Sequence, residues 1–67
     1  MTNEEIVQAL QHLIGTHYVD GVKAQITAIT GRTLVAAPND AVTKDFNPQR
    51  IRIRLDEDGA ITGFAFN

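Results

Sequence analysis

The residues of this chain best equipped for chemistry lie in one stretch, Ala41 to Leu55, AVTKDFNPQRIRIRL. Lys44 sits between Thr43 and Asp45 in a segment with no helical period. Just behind it, Arg50, Arg52 and Arg54 alternate with Ile51, Ile53 and Leu55. In an extended strand this alternation sends the arginines to one face and the apolar residues to the other. Arg50 and Arg52 then lie about 7 Å apart along the strand. Thr43 and Asp45 are also two residues apart. If the segment folds back over the strand, two guanidinium groups can reach Thr43 and Asp45 while Lys44 points to solvent. Arginine suits this task because its planar fork makes several hydrogen bonds of fixed geometry to a carboxylate and to carbonyls. One exposed pair is worth only about 0.2–1 kcal/mol, but a network of them can hold the segment in a single extended shape. The arginines would then be props, and Lys44 the group on display.

Other chemistry finds few residues to carry it. The chain has no Cys and no Ser, so the commonest nucleophiles are missing, and so are thiolate metal sites and disulfides. His12 and His17 are five apart, which is neither zinc-ligand spacing nor that of a base and its nucleophile. The acidic run Asp56 to Gly59, DEDG, lacks the ligand series of a calcium loop and is expected to be a solvated turn. Neither a metal nor another cofactor is expected, and the chain does not read as an enzyme. A row of three arginines suits phosphate binding, but the net charge is -2 and no aromatic residue is interleaved with the row. A nucleic acid is therefore not the expected partner. No apolar run approaches the roughly 20 residues of a membrane helix. The acidic start MTNEEIVQ lacks the features of a secretory leader. The expected location is the cytosol, or a secreted or periplasmic one if a leader once stood where Met1 now does.

The elements that must position Lys44 are few. At 67 residues one domain, 1–67, is expected, and 43% hydrophobic content suffices for one core. Thr2 and Glu5 have capping-box spacing and open a first helix, whose apolar stripe is Ile6, Ala9, Leu10, Leu13 and Ile14, with Gly15 as its stop. A second helix is expected from about Val19 to Thr30, burying Val22 and Ile26 together with Val19 and Ile29, and ending at Gly31. Strands are expected at Arg32 to Ala37 (RTLVAA), Arg50 to Leu55 (RIRIRL) and Ala60 to Phe66 (AITGFAF), with DEDG turning between the last two. The fold class is thus α+β: two N-terminal helices packed on a small three-stranded mixed sheet. A long exposed connection, PNDAVTKDFNPQ, joins the first strand to the second. A connection of that length in so small a domain is either functional or disordered.

VTKD followed by RIRI resembles the reactive loop of the potato inhibitor I proteins, in which a Val-Thr-X-Asp/Glu loop precedes an Arg-Val-Arg strand. LIG at Leu13 to Gly15, TLVAAPNDAVTKDF at Thr33 to Phe46, then Arg50, IRIRLDEDG and AITGFAF are similar, over nearly the whole chain, to related bacterial and fungal serine-protease inhibitors that include a fungal elastase inhibitor. The resemblance implies an inhibitor that enters a protease active site like a substrate, with Lys44–Asp45 as the reactive bond. It further implies protease contact by Ala41, Val42, Thr43, Phe46 and Asn47, and loop support by Arg50 and Arg52. A basic residue at the presented position points to trypsin-like targets, with subtilisins as a second possibility. Secreted relatives often tie the N-terminal region to the last strand by a disulfide. Thr2 and Phe66 fall near those positions, so that tie is missing here. The alternative is a non-inhibitory interaction module, pairing through the apolar last strand at a sheet edge; the oligomeric state is open.

Overall fold

The computed structural model describes residues 1–41 and 44–67. It is a small α+β fold with α1 at Asn3–Ala9, a 3-10 turn at Gln11–Leu13, α2 at Gly21–Thr30, and strands β1 (Val35–Ala36), β2 (Ile51–Leu55) and β3 (Ile61–Phe66). The sheet order is β1-β2-β3. β1 runs parallel to β2, with Val35 opposite Ile51, and β2 runs antiparallel to β3, with Ile53 opposite Phe64, so the sheet is mixed.

α1 starts where the capping residues stand. The Thr2 hydroxyl accepts from the Glu5 N–H at 3.1 Å, and the Glu5 carboxylate accepts from the Thr2 N–H at 2.7 Å. The helix stops at Ala9, earlier than its apolar stripe suggests. The cause is long-range pairing with the last hairpin. The Gly15 N–H donates to the Ile61 carbonyl, the Ile61 N–H to the Thr16 carbonyl and the Tyr18 N–H to the Gly59 carbonyl, and this pulls the chain out of helix. Leu13 is still buried through the 3-10 turn, but Ile14 is left 38% exposed. α2 begins at Gly21, later than the expected start at about Val19. Val19 lies outside the helix and is exposed, and Ile29 is lifted partly clear of the core. Gly31 ends the helix with φ 74°, a left-handed conformation that costs a glycine little.

The core gathers Ile6 and Leu10 from α1 and its end, Leu13, Val22 and Ile26 from α2, and Ile51, Ile53 and Ile61 from the sheet. Ile6, Leu10, Ile26, Ile51 and Ile61 are fully buried, each worth about 1.5–3 kcal/mol of apolar transfer. The expected alternation on β2 is present: Ile51 and Ile53 are buried, while Arg52 and Arg54 face away from the core. Leu55 packs against the core half-buried, after a register shift between Arg54 and Leu55. DEDG is a tight turn. The Asp56 carboxylate accepts from the N–H groups of Asp58 and Ala60, and Gly59 takes φ 83°. The first strand is shorter than expected, two residues in place of six, and the rest of RTLVAA flanks it. Because β1 and β2 are parallel, no tight turn can join them. The chain must travel from the end of the pair where β1 finishes to the opposite end, where β2 begins, and the connection 37–50 lies between the two.

Candidate functional site

The connection is tied to the body of the protein at both ends. At its upstream end the Ala37 N–H donates to the Asp40 carboxylate at 2.9 Å, and the Asp40 N–H donates to the Ala37 carbonyl at 3.0 Å. The same carboxylate forms a salt bridge with Lys23 of α2. Asp40 therefore fixes the turn at Pro38 and fastens it to the helix. The pairing with Lys23, helped by the Ala37 N–H, holds the Asp40 carboxyl below its ordinary value, and the Asp40 carboxylate raises Lys23 above its own.

At the downstream end the ties are made by guanidinium groups and an amide. The Arg50 Nη2 donates to the backbone carbonyl of Asp45 at 2.8 Å and also to the carbonyl of Asn67 beyond β3. Arg50 is only 8% exposed, so this contact is shielded from water. The Arg50 N–H donates to the Asn47 carbonyl, and the Asn47 side chain accepts from the Gln49 N–H at 2.9 Å, closing a turn through Pro48. Arg32 donates to the carbonyls of Pro48 and Gln49, and the Asn3 amide donates to Pro48 as well.

Between the two anchors, Ala41, Lys44, Asp45 and Phe46 are exposed, and Phe46 is 73% so despite its large apolar ring. Asn47 is half-buried. Val42 and Thr43, expected beside the displayed Lys, lie outside the described residues, and so does the expected contact to Thr43. The structure thus brings together Arg50, Asp45 and Asn47, with Lys44 and Phe46 beside them on the surface.

Arg52 stands apart from that group. It is half-buried on the same face of β2, opposite Ala36 and Ala65, and among the described residues its side chain makes no hydrogen bond or ion pair. It lies one strand repeat, about 7 Å, beyond Arg50, beside the upstream end of the connection, where Ala37 and Pro38 line the same hollow. Arg54, one repeat further, is exposed. His12 and His17 are both exposed, and His17 contributes a backbone bridge to Ala60.

Lys23, Asp40, Arg32 and Asn3 do not stand out in the sequence. Lys23 and Asp40 are 17 residues apart, and Arg32 and Asn3 are 29 apart. No local spacing signals such pairs; only the fold brings them together. Among the described residues no cluster of three or more His, Asp or Glu could hold a metal ion, and no helix is long and apolar enough to cross a membrane.

Residues 7–66 match the model of the peptidase inhibitor I78 family. No curated protein and no solved structure matches the chain significantly. The match carries a peptidase as partner and inhibition as activity. It does not extend to the potato inhibitor I proteins that the loop and strand motifs resemble.

Proposed function

Because the chain belongs to the peptidase inhibitor I78 family, we propose that it blocks a serine protease by offering residues 41–47 as a substrate segment, with Lys44–Asp45 as the reactive bond. The observation that carries this proposal is the buried Arg50 guanidinium bonded to the carbonyl of Asp45, directly after the exposed Lys44.

A protease takes up an extended segment as an added strand and fills one pocket with a side chain. A segment already held in shape has little ordering entropy left to lose, so an interface of about 1,600 Å² can bind tightly. The protease serine would attack the Lys44 carbonyl carbon. The Lys44–Asp45 bond would break, leaving an acyl-enzyme on Lys44 and a free amine on Asp45. That amine would remain tethered, because Arg50 holds the Asp45 carbonyl and Arg50 itself is fixed in the body of the protein. Its effective concentration next to the acyl-enzyme is then high, and re-formation of the peptide bond competes with water.

Lys44 selects the enzyme. A trypsin-like specificity pocket ends in an Asp, and an ammonium reaching it makes a charge-assisted bond. Subtilisins, with broader clefts, are the second target class. Phe46 adds a large apolar contact on the leaving side. The rival reading, a module that pairs through its last strand, rests on the position of β3 at one edge of the sheet.

Titration of active trypsin with the purified chain, alongside subtilisin and elastase, tests the assignment. Stoichiometric loss of trypsin activity is expected, and Lys44→Leu is expected to move inhibition toward chymotrypsin-like enzymes. Full trypsin activity at micromolar inhibitor would overturn the target class; full activity of every serine protease tried would overturn the mechanism.

A further inference from the structure

Arg32 is the first residue after the glycine that ends α2, and its side chain joins three parts of the chain. Its Nη1 faces the connection, 3.2 Å from the Gln49 carbonyl and 3.4 Å from that of Pro48. Its Nη2 faces the N-terminal segment, 3.2 Å from the Met1 carbonyl and 2.8 Å from the Asn3 side-chain oxygen. The guanidinium carbon lies 6.0 Å from the centre of the Phe66 ring, within cation–π range of the last strand. Asn3 completes the arrangement by donating its own amide to Pro48 at 3.2 Å. The Pro48 carbonyl thus accepts from two side chains that also bond to each other.

We propose that Arg32 is a positioning residue for the leaving segment of the reactive loop, and that it governs how long the cut inhibitor stays closed more than how tightly the intact inhibitor first binds. The proposal rests on the reactive-bond reading above. Pro48 and Gln49 lie downstream of Lys44–Asp45, so Arg32 holds only the piece that carries the new amine. Arg50 holds that piece at Asp45 and Arg32 holds it at Pro48 and Gln49. Pro48 and Gln49 lie three and four residues beyond Asp45, too close for the intervening chain to swing far while both ends are held. The acyl side has its own anchor at Asp40 and owes nothing to Arg32. Removing Arg32 therefore leaves the acyl-side segment and Lys44 in place for recognition, but frees the amine-bearing piece to drift from the acyl-enzyme.

The test compares parent, Arg32→Ala and Arg32→Lys, with Arg54→Ala as a surface control. For each, the inhibition constant for trypsin is measured together with the rate of hydrolysis at Lys44–Asp45. Each lost net hydrogen bond corresponds to a factor of roughly three to ten. Arg32→Ala is expected to raise hydrolysis by at least about tenfold, from two lost carbonyl contacts, while the inhibition constant changes several times less. Arg32→Lys keeps the charge without the planar fork and is expected to restore thermal stability more fully than resistance to hydrolysis. Equal changes in affinity and hydrolysis, or none in hydrolysis, would overturn the proposal. Hydrogen exchange keeps the inference testable apart from inhibition. In Arg32→Ala the Gln49 and Arg50 amides should exchange faster while the Asp40 amide does not. If the parent inhibits no protease but exchange behaves as described, the reactive-bond reading fails and the clamp stands as structure only. If Gln49 and Arg50 exchange unchanged, Arg32 does not hold the segment.

Discussion

The two anchors of the connection are built from different chemistry. Upstream, one carboxylate does the holding, shared between the Lys23 ammonium and the Ala37 N–H. Downstream, arginines and an asparagine hold neutral carbonyls of Asp45, Pro48 and Gln49. A carboxylate–ammonium pair depends on two titrating groups. A guanidinium keeps its charge over the working pH range, and a carbonyl has none to lose. The end that would carry the free amine after cleavage is therefore the end whose grip does not depend on pH. The upstream segment, which would stay covalently bound to the enzyme as an acyl group, is held by the titratable tie.

That contrast can be broken at several points. The largest effect is expected from Arg50→Ala. It removes a shielded guanidinium and leaves the Asp45 and Asn67 carbonyls without their donor. A loss of roughly 2–3 kcal/mol is expected for a charged donor of this kind, which in a domain of this size lowers Tm by ~10 °C or more. Conversion of a slow substrate into a quick one should accompany it, and thermal melts with a hydrolysis time course measure both. Arg52→Ala provides the comparison, since the Arg52 side chain makes no hydrogen bond or ion pair among the described residues. It should fall well short of Arg50→Ala on both counts; an equal loss in Tm would mean that Arg52 braces the free protein as well, and an equal gain in hydrolysis alone that it is recruited only when the protease is bound.

Acid separates the anchors without a mutation. The Asp40 carboxyl is lowered in the folded protein, so its contribution is present above its ordinary value of 3.8 and is lost as pH falls through the lower folded value. Lys23 is raised, so its contribution is present below 10.5 and is lost only as pH rises through the higher folded value. The salt bridge is thus intact across the neutral range and opens from the acid side first. Glu5, lowered mainly by its bond to the Thr2 N–H, is lost in the same acid window and loosens the start of α1. On acidification the Ala37 and Asp40 amides should gain exchange before Gln49 and Arg50, and Asp40→Asn should remove most of that difference. Both side chains are 37% exposed, so solvent screens the pair and the accompanying change in Tm should be the smallest of those described here. Simultaneous loosening of both ends would contradict the division.

How much of this was legible beforehand follows from sequence distance. The Thr2–Glu5 cap, the alternation of Ile51, Arg52, Ile53 and Arg54, and the DEDG turn are local patterns, and each is present as expected. The early end of α1 was not legible, because the pull on the chain comes from Ile61 and Gly59, more than forty residues away. The exposure of Ile14 follows from the same cause, tertiary pairing overriding an apolar stripe. That Arg50 reaches Asp45 was readable from the spacing of the two residues, with the backbone carbonyl as acceptor. The role of Arg32 was not, since nothing in GRTLV distinguishes a strand arginine from a clamp. Near Thr2 and Phe66, where secreted relatives often carry the disulfide that is missing here, the structure has the Arg32 guanidinium between the Met1 carbonyl and the Phe66 ring.

The most direct test of the central claim is resynthesis. The chain is cut at Lys44–Asp45, purified in the nicked form, and incubated with a catalytic amount of trypsin while its mass is followed. A braced connection predicts that intact chain reappears and that nicked and intact forms settle at the same ratio from either direction. Nicked chain that never rejoins, or that is cut further at other bonds while trypsin stays fully active, would contradict it.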